Sequence, residues 1–200
     1  EEAIFRKEVS SWLSAHATLK DDDNAASYTG MGEDEALSLA KKWAAKLYDN
    51  GWACLHWPKE YGGRGSTPIE RVIWGQEASK YRIPGGFFEI GQGMAGPVLM
   101  MYASEEQKTR YLPPMAKGEE VWCQLFSEPS AGSDLAGLKT KSVLEGDTWT
   151  INGQKIWTSG AHYCDYGILV TRSDASAQKH KGLTYFFLDM KSPGVEVRPI

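Results

Sequence analysis

The sequence has no apolar run near the roughly twenty residues that a membrane-spanning helix requires, and no charged-then-apolar leader at its start. A helical membrane span within these residues is thereby excluded. Nor is there a basic excess: 22 Lys and Arg stand against 26 Asp and Glu, for a net charge of −4. A nucleic-acid partner, which calls for a basic stripe, is not expected. Cysteine is scarce. Cys54, Cys123 and Cys164 are odd in number, widely spaced and without a CxxC pair. They read as reduced, mostly buried thiols of an intracellular protein, not as a disulfide or zinc framework. His16, His56, His162 and His180 share no ligand spacing with one another or with a cysteine, so no metal site is expected. Internal repeats and low-complexity segments are also lacking.

What is present is 200 residues, enough to bury a real core as one large domain or two small ones, and eight tryptophans, most of which core packing accounts for. The first half has helical periodicity. Ile4, Phe5, Val9, Trp12 and Leu13 fall on one face, with Arg6, Lys7 and Glu8 away from it. Lys20 to Gly32, containing Asp21-Asp22-Asp23-Asn24, reads as an acidic surface loop. A second helix is expected from Asp34 as N-cap, burying Leu37, Ala40, Trp43, Ala44 and Leu47 and closing at Gly51 in a left-handed cap. Pro58, Gly62, Gly63 and Gly65 break the chain that follows. Thr67-Pro68-Ile69-Glu70 is a capping box with proline at the first helical position, predicting a third helix to about Tyr81. A glycine-containing fourth helix fits Phe87 to Ala103. Ser104-Glu105-Glu106-Gln107 then opens a short helix ended by Pro113-Pro114.

After Gly118 the period shortens to that of a strand. Val121 to Ser127, Thr140 to Leu144, Thr148 to Ile151, Lys155 to Thr158, Tyr166 to Thr171 and Leu183 to Asp189 all read as strands. Glu145-Gly146-Asp147 and Asn152-Gly153 supply hairpin turns. The expected fold class is α+β: a helical domain over 1–118, then a small antiparallel β-barrel or sandwich over 119–200. The chain opens at Glu1, which reads as a processed or trimmed product. Gly194 to Ile200 alternates like a strand and stops, so the β domain is expected to be incomplete at its C-terminal end.

Two segments of the second half carry chemistry. Leu125 to Gly137 (LFSEPSAGSDLAG) runs from a strand into a turn of small and polar residues. Pro129 fixes one dihedral, Gly132 lets the backbone approach a ligand, and the N–H groups of Ala131, Gly132 and Ser133 are candidates for an anion nest. Asn152 to Gly160 (NGQKIWTSG) is a turn, a strand and an indole beside two hydroxyls. A planar aromatic cofactor carrying a pyrophosphate needs both features: donors for its phosphates and a wall for its ring. Gly91-x-Gly93-x-x-Gly96 fits a nucleotide-loop pattern, but no strand precedes it. Its glycines read as close helix packing or room for an acyl chain. Lys139 and Lys141 read as an exposed strand edge.

These two segments, in this order, resemble the flavin-binding middle domain of the acyl-CoA dehydrogenase family. The helical half agrees. Trp57-Pro58-Lys59-Glu60-Tyr61-Gly62-Gly63 is similar to the family's WP-x-x-x-GG loop, and Tyr102 to Lys108 with Tyr111-Leu112-Pro113 resembles the lead into its middle domain. The resemblance extends from about Ile4 to Ile200.

It implies FAD as cofactor. Gln124, Phe126, Ser127, Gly132 and Ser133 would touch the flavin, and Ser133 would also lie near the acyl-CoA substrate. Trp157 would cover one edge of the isoalloxazine ring, with Thr158 beside it and the Ser159 hydroxyl approaching flavin N5. The implied reaction is α,β-dehydrogenation of an acyl-CoA thioester to the trans-2-enoyl-CoA, with electrons passed to an electron-transfer flavoprotein. Assembly as a homo- or hetero-oligomer, dimer or tetramer, is implied too. So is location in the cytoplasm, or in the mitochondrial matrix of a eukaryote. The family's catalytic base lies on a third, C-terminal helical domain, beyond Ile200. Glu128 and Glu89 are poor substitutes, so no catalytic residue is assigned and the chain alone is expected to be inactive. Two other readings stay open: a non-catalytic or heteromeric subunit on the same scaffold, and a related flavin oxidase or monooxygenase.

Overall fold

Capping chemistry sets the helix ends in the computed structural model, which describes residues 1–20 and 30–200. The acidic stretch Asp21-Asp22-Asp23-Asn24 lies outside the described residues. Helix α1 (Glu2–His16) buries Phe5, Val9 and Leu13. Ile4, expected on that face, is 75% exposed. It lies about 100° round the helix from Phe5, so the buried stripe is narrower than the sequence pattern. Helix α2 (Glu33–Asp49) has Gly32, not Asp34, at its N-cap. Glu33, Asp34 and Glu35 fill the first turn, where carboxylates complement the helix dipole. Its far end closes as expected. Gly51, at φ +70°, donates to the Tyr48 carbonyl at 3.0 Å, and the Trp52 N–H reaches the Leu47 carbonyl at 2.7 Å. That bond pair is a Schellman motif.

Helix α3 (Pro68–Ala78) opens with the full Thr67–Glu70 capping box. It stops short of Tyr81, because Tyr81–Arg82 (β2) pairs antiparallel with Thr18–Leu19 (β1). The fourth helical stretch is divided: one π-helical turn, Gly91–Ala95, leads into α4 (Gly96–Tyr102). Helix α5 (Glu105–Lys117) opens with the Ser104–Gln107 capping box and ends at Gly118 in the left-handed conformation. Pro113 and Pro114, expected to end it, lie inside. They remove helical bonds to Thr109 and Arg110, both on the exposed side. Burial of Leu112, Met115 and Ala116 on the inner side outweighs that loss.

The chain divides into two compact units, Glu1–Glu119 and Glu120–Ile200. In the first, Phe5, Val9, Leu13, Trp43, Trp52, Leu55, Ile73 and Tyr81 form the core, with Trp12 and Trp74 packed against it. Arg64 lies 4.1 Å over the Trp52 ring and donates to Glu8 at 2.6 Å. Trp57 is fully buried, and its indole N–H donates to the Gln92 carbonyl at 3.1 Å. The expected close packing is seen at Gly96, where a Cβ would lie 2.1 Å from the Trp57 ring, but not at Gly93, where it would meet nothing within 4 Å. This unit also holds a cavity of about 730 Å³, walled by Trp43, Trp52, Trp74 and Phe88, with Arg71 and Glu89 on its lining.

In the second unit, β3 (Trp122–Leu125), β4 (Lys141–Glu145), β5 (Thr148–Asn152), β6 (Tyr166–Arg172) and β7 (Leu183–Asp189) form one five-stranded sheet. β6 lies at its centre and is buried over Gly167–Thr171. β7 pairs antiparallel with all of β6. β3 pairs parallel with the first part of β6, and the β4–β5 hairpin joins at Lys141↔Arg172. The sheet is thus mixed, where a wholly antiparallel one was expected. Lys155 to Thr158, expected as a strand, joins no ladder. The cysteines are free thiols: Cys123 and Cys164 are buried and Cys54 partly so.

Candidate functional site

A parallel β3–β6 pair obliges the chain to leave β3 at one end and return to the other. Residues 126–165 make that crossing, with the β4–β5 hairpin in its middle. Both chemistry-bearing segments lie on it, one on each side of the hairpin. On the return, the Ile156 N–H bonds to the Ser127 carbonyl at 2.9 Å and the Asp165 N–H to the Val121 carbonyl at 2.9 Å. Residues 156–165 therefore travel back alongside β3.

The two segments are fastened by a buried ion pair. Lys155 Nζ lies 2.9 Å from Glu128 Oε1, the side chains being 7% and 5% exposed. The same ammonium donates to the Phe126 carbonyl at 3.0 Å. The Glu128 carboxylate also accepts the backbone N–H groups of Lys139 at 2.6 Å and Thr140 at 2.8 Å. Burial pushes its pKa up, but hydrogen bonds from Thr140, Lys139 and Lys155 outweigh this and hold it at about 2. Burial shifts Lys155 down, against the opposing influence of Glu128. Glu128 is thus an ionised tie at neutral pH, not a proton acceptor. Arg172 anchors the rest of the loop, donating to the carbonyls of Ala136 at 2.5 Å, Leu138 at 3.2 Å and Lys179 at 3.0 Å.

Each expected site residue has a definite place. Gln124 is half-buried on β3, opposite Ile168. Phe126 is half-buried with its ring edge-on to Tyr185 at 6.3 Å, beside Ala131, Leu138 and Val170. The Tyr185 hydroxyl is buried without a partner, and burial pushes its pKa up to about 12. Ser127 is half-buried, its carbonyl engaged by Ile156. Gly132 and Ser133 are exposed in the loop. Ala131 leaves the expected three-donor nest, because its N–H bonds to the Glu128 carbonyl at 3.0 Å. Only the N–H groups of Gly132 and Ser133 remain for an anion. Trp157 is 73% exposed and sits at φ +60°. Thr158 is half-buried and Ser159 exposed. Hydrogen bonds bring Phe126–Glu128 and Lys155–Ile156 together, whereas Ser133 forms no bond to the Trp157–Ser159 segment.

Three features call for something outside the chain. A bulky residue at positive φ costs on the order of 1–2 kcal/mol, yet here that strain holds a large apolar ring in solvent. The Thr158 hydroxyl oxygen is buried without a partner. A Cβ on Gly132 would meet nothing within 4 Å, and its φ is not positive. Neither backbone nor internal packing demands glycine at 132, so what it provides is room for close approach. An aromatic wall, an orphan hydroxyl and an open glycine beside two free N–H groups fit a planar, anionic cofactor. The Glu128–Lys155 tie was not read from the sequence. The available signal was one acid and one base, each inside one of the two motifs.

Comparison with known proteins gives the family. The sequence model described as "Acyl-CoA dehydrogenase, N-terminal domain" matches residues 1–119, and that of the "Acyl-CoA dehydrogenase, middle domain" matches 123–200. Acyl-CoA dehydrogenase IpdE1 of Mycobacterium tuberculosis is 38% identical over 200 residues, covering 98% of this chain and 51% of IpdE1. Acyl-CoA dehydrogenase FadE34 of the same organism is 44% identical over 170 residues, covering 85% and 24% respectively. Among solved structures, the Tcur3481-Tcur3483 steroid ACAD superposes with a TM-score of 0.75 at 32% identity, over 96% of this chain and 48% of that one. The ChsE4-ChsE5 complex from Mycobacterium tuberculosis gives 0.73 at 31% identity, over 96% and 48%. The chain spans about half or less of the length of these relatives. It belongs to the acyl-CoA dehydrogenase family, whose N-terminal helical and middle β domains it carries.

Proposed function

We propose that the crossing between β3 and β6 is the flavin-facing part of an FAD-dependent acyl-CoA dehydrogenase. The reaction is conversion of an acyl-CoA thioester to the trans-2-enoyl-CoA, with electrons leaving to an electron-transfer flavoprotein. The observation that carries this reading is the exposed, strained Trp157, held beside the Phe126–Glu128 segment by the bonds from Lys155 and Ile156. When bound, FAD supplies the hydride acceptor. Trp157 gives the ring a wall and keeps water from one edge. Ser159, with Thr158, offers hydroxyls to the polar edge of the ring. The Gly132 and Ser133 N–H groups receive negative charge, and Gln124, Phe126 and Ser127 line the approach from β3. Ser133 also contacts the acyl-CoA. Removal of the α-proton requires a carboxylate that this stretch of chain does not assign, so activity belongs to the complete protein. In that protein Trp157→Ala with Ser133→Ala is expected to lower FAD content several-fold. Undiminished flavin after both changes would sink the assignment.

A second reading has its own support. Two structural relatives are named as pairs of different chains, Tcur3481-Tcur3483 and ChsE4-ChsE5. By likeness, this chain works in a hetero-oligomer, with the homotetramer as the alternative, and in the cytoplasm. Native mass spectrometry of the complete protein separates the two: one subunit mass supports the homo-oligomer, and two supports the heteromer.

A further inference from the structure

We propose that Glu128 and Lys155 form a positioning pair for the flavin ring, acting through Trp157 and Ser159; this rests on the flavin reading above. The segment carrying the indole belongs to no strand ladder. It is joined to the residues that follow β3 by the Ile156 N–H bond to Ser127 at 2.9 Å and the two Lys155 bonds, to the Phe126 carbonyl at 3.0 Å and to Glu128 at 2.9 Å. Trp157 follows directly, at a φ that an indole-bearing residue does not adopt unless its neighbours are held. Glu128 in turn is fixed by the Lys139 and Thr140 N–H groups, at the chain's approach to β4. One buried charge pair thus sets the separation between the end of β3, the loop of Gly132 and Ser133, and the base of Trp157.

Stability alone is a poor reason for such a pair. Buried ion pairs are commonly matched by neutral or apolar replacements of similar shape, since desolvation offsets the attraction. What an ion pair with three further hydrogen bonds adds is geometry: Lys155 must meet the Phe126 carbonyl at 3.0 Å and Glu128 at 2.9 Å at once, so a displacement of its segment lengthens and weakens one contact or the other. Glu128 and Lys155 are enclosed, so they do not touch the cofactor themselves. Their influence is carried by Trp157 and Ser159, in the segment that follows Ile156.

The test uses the complete enzyme, purified with FAD, as wild type, Lys155→Met, Glu128→Gln and the double variant Glu128→Gln/Lys155→Met. Visible-range circular dichroism of the bound flavin, the FAD dissociation constant and the melting temperature are measured for each. The expected result is that either single change weakens FAD binding about tenfold or more and alters the flavin dichroism. The double variant, having no stranded charge, should recover much of the melting temperature without recovering the flavin signal. A flavin signal and affinity unchanged in the double variant, whatever its melting temperature, would make the pair merely structural and overturn the inference. If Lys155→Met fails to fold, Glu128→Gln, which keeps the shape and an acceptor oxygen, decides on the same readouts. Wild-type enzyme that binds no FAD would instead overturn the flavin reading itself.

Discussion

Gly96→Ala pits two effects of known sign against each other within the helical unit. Gly96 has helical dihedrals, so alanine should gain up to about 1 kcal/mol in helix propensity. Against that, the new Cβ would lie 2.1 Å from Cζ2 and 2.5 Å from Cη2 of Trp57, a rigid ring with no exposed surface. The indole cannot simply retreat. The Trp57 backbone is closed in as well, since a Cβ on Gly63 would come within 2.2 Å of its carbonyl oxygen. Overpacking of this kind costs about 1–3 kcal/mol, and displacing the ring also weakens its bond to Gln92, worth about 1 kcal/mol. The clash wins, for a net destabilisation of about 1–3 kcal/mol. The melting temperature should fall by about 3–10 °C. Gly75→Ala is the internal control: it is an exposed interior position of α3 with nothing within 4 Å of the added carbon, and it should stabilise by up to about 1 kcal/mol. Urea and thermal unfolding followed by tryptophan fluorescence would report both. A Gly96→Ala protein as stable as Gly75→Ala would refute the steric account of the glycine.

Glu128 gives a pH prediction. Its folded pKa, at about 2, lies below the ordinary carboxyl value of 4.5. Its contribution is therefore complete above about pH 4.5 and is lost as pH falls towards 2, amounting to about 3 kcal/mol at most. Glu128→Gln should flatten the stability-versus-pH curve in that window, and an unchanged acid slope would rule the group out. The helix caps offer a simpler check. Thr67→Ala and Ser104→Ala each remove one side of a complete capping box and should cost about 0.5–2 kcal/mol in chemical denaturation. Glu77 is buried between Arg6 at 2.7 Å and Lys80 at 2.5 Å, its pKa held down by both. The stability difference between wild type and Glu77→Leu should move in the variant's favour from pH 7 to pH 3 in denaturant unfolding, because the wild type loses this ion-pair contribution on acidification and the variant has none to lose.

What could be read from the sequence was local chemistry. The Thr67 and Ser104 boxes and the left-handed Gly51 each depend on three or four adjacent residues, and these helix ends match them. The order of helical then strand-forming segments followed from periodicity alone. The misses share a different cause. Ile4 has the right residue type and neighbours, but its exposure depends on how narrow the surface facing α1 is. Pro113 and Pro114 looked like a stop because the burial of Leu112 and Met115 around them is a tertiary fact. The direction of β3 relative to β6 leaves no mark on an alternating pattern.

The same distinction explains why the site was half legible. The residue types of the candidate site were plain, since small, hydroxylated and aromatic side chains in two motifs mark the segments from which it is proposed. Its geometry was not. Lys155-Ile156-Trp157-Thr158 alternates like a strand, yet Trp157 adopts φ +60° and the segment turns out of any ladder. A strand would have alternated the four side chains across a sheet. The actual path buries Lys155 against Glu128 and leaves Trp157 in the open, two residues apart with opposite environments. That arrangement follows only when the parallel β3–β6 pairing forces the chain to double back past Ser127. The proposed site is therefore a property of the crossing, and a substitution that leaves both motifs intact but alters the crossing should lower FAD content as much as one within them.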